Sequence, residues 1–517
     1  MELVRKTIRM TRQKGKAVSQ MTLDEDYNIS ETMPDAGMLV QEKGTLEIGE
    51  IRAENGRALV QGKLNFDVLY MDDLEEGGLH SVRGQIPFEE ALNVETARDG
   101  DSLKLTWTLE DISAVLINSR KIGIRAVGTL EVTVEELAEE ELPTEAQEGE
   151  AEIRTERLKA AALTVQKKDT CRVRDEIILP ANKPNIGKLI WQDVSLRSTE
   201  VRPGEEELLV KGELLVFVLY EGEEEQKMGW LEQSLPFSSR LDLSGSREGV
   251  AAGLSLRLAG AELEVKPDYD GELRVLHVDA VLSLDIRMYE EEELDVITDL
   301  YSLKKELIPE KERADYERLL ICSSSRCRAA GRIRADHPET QILQICHSSG
   351  EVRLDDCRVS EQGLRIEGAV QAEVLYITSD DSHPILCKKE NIPFEHQIDV
   401  PGITENHVRY LDCMLDQLAV DMAGGGELEV KAVILLNLLV LEKESVESVK
   451  EVTEKPLDPE ELKALPAFTL YTVQPRDTLW DIARGCRSTG AHICEMNDCT
   501  PEEIRPGRKL ILVKELG

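Results

Sequence analysis

The sequence predicts a multidomain chain of three mainly-β repeats, each sandwich or barrel-like, followed by a small α+β domain with βααβ order. Three observations carry this. One set of landmark residues recurs three times, at spacings of about 150 residues. Within each copy apolar and polar residues alternate, the period that turns one face of a strand toward a core. Near the C-terminus the pattern changes to two short apolar strands flanking helix-like segments.

The landmarks are a glycine, a Val-Leu-Tyr triplet, a Pro-Phe pair and an earlier proline. They fall at Gly62, Tyr70, Pro87-Phe88 and Pro34, then at Gly212, Tyr220, Pro236-Phe237 and Pro184. The third set is Gly368, Tyr376, Pro393-Phe394 and Pro338. Four landmarks in one order, three times, establish an internal repeat. In the first copy Val60, Gly62, Leu64, Phe66 and Val68 share one parity, with Gln61, Lys63, Asn65 and Asp67 between them. A glycine inside such a strand predicts a bulge or a close backbone approach. The tyrosine reads as a core aromatic with a tethered hydroxyl.

Further strands are predicted over 121–135, 272–289 and 427–442, two of them preceded by turn signals at 267–271 and 424–426. A proline start and helical spacing suggest a short helix over 34–41 and its equivalents, clearest at 184–191. The repeats are assigned to 1–137, 161–295 and 321–446, and the closing domain to 468–515. Between them lie an acidic linker (138–160), a linker with helical potential (296–320) and a Pro-rich acidic linker (447–467). The run 135–152 is acidic and poor in apolar residues, which predicts a mobile spacer or a frayed helix.

Composition narrows the function. With 101 acidic and 62 basic residues the net charge is −39, which opposes binding to nucleic acid or anionic membranes. Arg5, Lys6, Arg9, Arg12, Lys14 and Lys16 form a basic N-terminal stretch, read as a solvated strand face. Aromatics make up only 4%, so the cores must be mostly Leu, Val and Ile. The most apolar segment, 433–441, is too short to span a bilayer, and residues 1–20 hold no apolar run that would predict an export signal. A cytoplasmic protein is expected.

The ten cysteines show no Cys-x-x-Cys pairing and read as reduced thiols. Neither His492, Cys494 and Cys499 nor Cys322, Cys327, Cys346 and His347 have the spacing of zinc ligands. No phosphate-binding loop, His-Glu-x-x-His or Gly-x-Ser-x-Gly occurs. No catalytic residue, metal or cofactor is expected, and the chain reads as a non-enzyme.

The C-terminal segment begins with a short strand at 470–474. Asp477 or Thr478 can cap a helix whose apolar face carries Leu479, Trp480, Ile482 and Ala483. A second helix fits 491–496, and a turn at 505–508 leads into a strand over 509–514. Tyr471-x-Val473, Asp477-Thr478-Leu479-Trp480-x-Ile482-Ala483, Asn497 and Ile504-x-Pro506-Gly507-x-x-Leu510 resemble the LysM family. That resemblance implies binding of N-acetylglucosamine polymers such as peptidoglycan or chitin, in a groove between two loops. Carried over, the groove comprises Asp477, Thr478 and Leu479, with Ile504, Arg505, Pro506 and Gly507 opposite. Arg476 departs from the family by standing where glycine is usual, and Gly485 and Cys486 depart from it in the first helix. Trp480 reads as core. Arg476, Arg505 and Arg508 read as exposed candidates for a protein contact.

Taken together, from about Ala17 to Val513, the repeats, acidic spacer and closing module resemble the SipL-like spore-coat morphogenetic proteins, whose repeat is the SPOCS domain. The resemblance implies a non-enzymatic scaffold or adaptor in spore coat assembly, cytoplasmic in the mother cell and gathered at the forespore surface. Its expected partner is the coat basement-layer ATPase, stage IV sporulation protein A, with peptidoglycan or its precursors as the other ligand. Self-association through the repeats is a further expectation. The alternative class is a peptidoglycan-binding cell-wall or phage-tail protein.

Overall fold

Alternation over long apolar runs gives every repeat the same six strands. In repeat 1 these are β1 (Glu2–Asn28), β2 (Ala36–Glu54), β3 (Arg57–Asp72), β4 (Leu79–Asn93), β5 (Ser102–Asn118) and β6 (Lys121–Gln147). They form two antiparallel sheets of order β1-β6-β5 and β2-β3-β4. Repeat 2 comprises β7 (Glu152–Ile178), β8 (Ile186–Gly204), β9 (Glu207–Gly222), β10 (Met228–Asp242), β11 (Ala251–Pro267) and β12 (Leu273–Tyr301). Repeat 3 comprises β13 (Lys305–Arg334), β14 (Ile342–Ser360), β15 (Gly363–Thr378), β16 (Ile385–Asp399), β17 (Val408–Gly424) and β18 (Glu427–Pro456). Both follow the same sheet orders. The computed structural model describes residues 1–74, 77–147, 150–223, 227–334, 341–380, 382–424, 426–458 and 466–514.

The inner faces of the two sheets make the core of each repeat. In repeat 1, Leu64, Phe66 and Val68 of β3 meet Ile122, Ile124 and Leu130 of β6. The sandwich fold class is therefore present three times, with cores of Leu, Val and Ile as composition requires.

The landmarks form one packing device. Gly62 lies directly opposite Phe88 in the β3–β4 register. A Cβ on Gly62 would come within 2.6 Å of the Phe88 ring and of the Glu47 carbonyl. Gly212 and Gly368 face Phe237 and Phe394 in the same way, each at 2.9 Å. The glycine is thus the close-approach type, and an edge-strand aromatic fills the space its missing side chain leaves. The bulges lie on β2, for example between Ile48 and Glu50. The Tyr70 hydroxyl donates to the Pro34 carbonyl at 3.1 Å, and Tyr220 to that of Pro184 at 3.3 Å. Pro338 lies outside the described residues.

Four local expectations are corrected. The segments read as short helices at 34–41 and 184–191 are a turn leading into β2 and β8. Bulges between Ile186 and Lys188 and between Leu189 and Trp191 each offset the alternation, and the resulting spacing imitates a helix. In the acidic run read as a spacer over 138–160, residues 138–147 are the end of β6 and residues 152–160 the start of β7, while 148 and 149 lie outside the described residues. Its carboxylates face the basic N-terminal stretch across the strand pair: Arg9 meets Glu139 at 2.8 Å, and Arg12 meets Glu140. Leu142, within the same run, is buried. The segment 296–320 is not helical but carries β12 and β13, which are joined by a tight connection. Within 447–467, β18 runs on to Pro456, and residues 459–465 lie outside the described residues.

The repeats do not hang apart like beads. Ile8, Met10 and Leu142 of repeat 1 pack with Leu158, Leu294 and Val296 of repeat 2 and with Ala314, Tyr316 and Val446 of repeat 3. A second shared core joins Leu69 and Met71 to Ile190, Trp191, Phe217 and Leu219, and to Cys346 and Leu375. Gln41, Trp191 and His347 occupy matching places in the three repeats, and all three are buried. Gln41 donates to Glu373 at 2.9 Å. The His347 ring stacks on Phe217 at 4.2 Å and lies between Glu232 (2.6 Å) and Asp193 (3.1 Å). Burial alone would depress the His347 pKa, but these two carboxylates raise it above the ordinary value. Elsewhere Arg287 of repeat 2 joins Glu135 of repeat 1 at 2.7 Å and the Tyr410 hydroxyl of repeat 3 at 3.3 Å.

Candidate functional site

The C-terminal module consists of β19 (Phe468–Thr472), α1 (Leu479–Cys486), α2 (Gly490–Met496), a 3₁₀ turn (Pro501–Glu503) and β20 (Lys509–Val513). It is the expected βααβ unit. β19 and β20 pair antiparallel, with Tyr471 opposite Leu510. Asn497 locks the module together: its amide donates to the Ile493 and Ile511 carbonyls, both at 2.8 Å, and its carbonyl accepts from Ile511 N at 2.7 Å.

The two groove loops lie side by side. Gly507 N donates to the Val473 carbonyl at 2.8 Å, and Val473 N donates to the Arg508 carbonyl at 2.9 Å. Gly507 has φ +90°, where glycine carries no Cβ penalty. Arg476 has φ +82°, so it adopts the conformation of the glycine it replaces. For a residue with a side chain this costs on the order of 1 kcal/mol.

The seven residues expected to form the groove, and Arg476 beside them, divide by what their side chains already do. The Asp477 carboxylate accepts from the Tyr471 hydroxyl at 2.6 Å and from Gln474 N at 2.8 Å. These bonds, that from Tyr471 first, hold its pKa below the usual carboxylate range. Thr478 caps α1, accepting from Asp481 N at 3.2 Å. Leu479 and Ile504 pack against the small core of the module. Pro506 and Gly507 shape the turn. Arg476 and Arg505 are exposed, and neither forms an ion pair among the described residues. Arg508, by contrast, is engaged with Glu503 at 3.2 Å.

Sequence reasoning missed a second face of the module. Trp480, expected in the module's own core, sits at a seam with the end of β12. Its Nε1 donates to Asp299 at 3.0 Å, and its ring meets the edge of Tyr301 at 4.9 Å. Arg484 donates to the same carboxylate at 3.0 Å, and the Tyr301 hydroxyl donates to the Ser488 carbonyl at 2.9 Å. Asp299 and Tyr301 lie far away in the chain. The one available signal was that a half-buried indole needs an acceptor. Replacing Asp299 by alanine strands Trp480 Nε1 and Arg484, and is expected to weaken docking by about 1.5–3 kcal/mol. Thermal unfolding should then resolve a separate, earlier transition for the module. A single unchanged transition would show that the seam does not hold it.

Among the described residues no group of three or more His, Cys, Asp or Glu side chains is placed to hold a metal ion, and no helix is long and apolar enough to cross a membrane.

The SipL SPOCS domain matches residues 35–117, 185–266 and 341–423, and the LysM domain matches 471–513. Neither a curated protein nor a solved structure matches the chain. The chain is thus a tandem β-repeat protein ending in a LysM module. More particularly, it has the SipL-like architecture of repeated SPOCS domains ahead of a C-terminal LysM domain. Each SPOCS match begins at the entry to the second strand of a repeat and ends at the fifth. The long first and sixth strands, which build one of the shared cores, lie mostly outside it.

Proposed function

We propose that the protein is a non-enzymatic scaffold in spore envelope assembly, whose LysM loops engage a coat morphogenetic protein. The expected partner is the basement-layer ATPase resembling stage IV sporulation protein A, met on the mother-cell side of the forespore surface. The observation behind this reading is the state of the groove. In a chain of net charge −39, two exposed arginines on adjacent loops, Arg476 and Arg505, form no ion pair among the described residues. The polar side chains next to them, Asp477 and Thr478, are already used within the module. A groove with two free cations and few free neutral donors suits an acidic protein surface.

The second reading, peptidoglycan binding, is favoured by the LysM match itself and by the backbone groups of the two loops. The Arg476→Glu/Arg505→Glu double variant of the full chain separates them. On the first reading it binds the basement-layer protein at least about 10-fold more weakly, as expected for the loss of two central charge contacts. Its melting temperature and any peptidoglycan pull-down should be unchanged. Unaltered protein binding with lost peptidoglycan capture would favour the second reading.

A further inference from the structure

Repeats 1 and 2 differ at one seam. In repeat 1, Ile48, Gly49 and Ile51 of β2 with Leu103, Leu105 and Trp107 of β5 line an open wedge of about 430 Å³. Asp101 and Lys168 stand at its rim. Counted from the matching Gly62 and Gly212, Gly49 corresponds to Thr199 of repeat 2; counted from the matching Pro87 and Pro236, Thr106 corresponds to Ser255 and Trp107 to Leu256.

In repeat 2 the corresponding wedge is occupied by a segment of repeat 3. Met414 of β17 packs against the repeat 2 core, and its sulfur receives the Thr199 hydroxyl at 3.8 Å. Asp412, two residues earlier, accepts from Ser255 at 2.9 Å and from Arg257 at 2.5 Å. Leu256 is consequently 2% exposed, whereas Trp107 in the matching place is 45% exposed. An exposed indole beside four aliphatic side chains on an edge strand is the composition of a docking pocket centre.

We propose that the repeat 1 wedge is a docking site for an extended segment of a partner protein that presents a methionine or leucine side chain to Trp107. The occupant follows from the chain itself, which fills the matching wedge of repeat 2 with an edge strand bearing Met414. A flexible thioether against an aromatic ring is also a favourable pair in its own right. Lys168 and the Thr106 hydroxyl would meet the polar flank of the segment, where Ser255 and Arg257 meet Asp412 in repeat 2.

The probe is a synthetic peptide of residues 408–417 with Cys413→Ser, titrated into the full chain and followed by calorimetry. Saturable binding is expected, weakened at least about 10-fold by Trp107→Ser in the protein or by Met414→Ser in the peptide. Ile48→Ser is a second protein variant, and unfolding curves verify that both remain folded. Absence of saturable binding, or equal affinity for both protein variants and the parent, would overturn the proposal. Binding of a chitin oligomer in place of the peptide, lost on Trp107→Ser, would overturn it as well.

Discussion

Arg287→Ala is expected to destabilise the protein by about 3–5 kcal/mol, because it leaves a buried carboxylate without its partner. Arg287 and Glu135 are 5% and 6% exposed at the side chain and meet at 2.7 Å. The pair joins repeats 1 and 2, and Arg287 also lies over the Tyr410 ring of repeat 3, 4.9 Å from its centroid. Truncation therefore removes a cation that three repeats share. The loss belongs to the orphaned charge rather than to attraction as such. The double variant Arg287→Met/Glu135→Leu should thus recover most of the stability. Denaturant unfolding of the two variants measures both halves of the claim. Equal destabilisation would mean that the hydrogen-bond geometry, not the stranded charge, sets the cost.

Trp191→Ala is expected to cost a similar amount, about 3–5 kcal/mol, by opening a cavity where three repeats converge. The indole is almost fully buried and packs in one cluster with Leu69 of repeat 1, Phe217 of its own repeat and Leu375 of repeat 3. The strands around it, β2, β8, β9, β14 and β15, are held by their ladders, which limits how far they can close over the space. Unfolding curves and binding of a dye that reports exposed apolar surface would measure it. A loss below about 1 kcal/mol would mean that the junction collapses around the truncation.

Much of this fold was legible because its determinants are local. Alternation around Val60 to Val68 marks a strand, and the matched glycine and Pro-Phe positions turn out to be one cross-strand contact. What was not legible is nonlocal. The acidic run in β6 looks like a spacer until Arg9 and Arg12, more than a hundred positions earlier, are placed opposite it. Bulges in β8 disguise a strand as a helix. One signal was present and unused. Leu69, Leu219 and Leu375 sit between Val and Tyr, on the parity that should face water, yet they are 0%, 1% and 1% exposed. Three consecutive apolar residues in a strand mean that both faces are covered, and here the second cover is another repeat.

The candidate site shows the same division. The groove loops follow from short-range spacing: Thr478 caps its own helix, and Gly507 makes its own turn. The seam beneath Trp480 depends on Asp299 and Tyr301, and nothing within the module's own sequence names them.

Gln41, Trp191 and His347 give the arrangement a direction. An amide, an indole and an imidazole stand in the same place of three similar folds, each meeting a different neighbour. Three copies of any one repeat would bring three indoles, or three imidazoles, to positions shaped for unlike partners. The first repeat therefore cannot stand in for the second, nor the second for the third. The chain reads as an ordered sentence rather than one word said three times, and exchanging two repeats should yield a protein that cannot close.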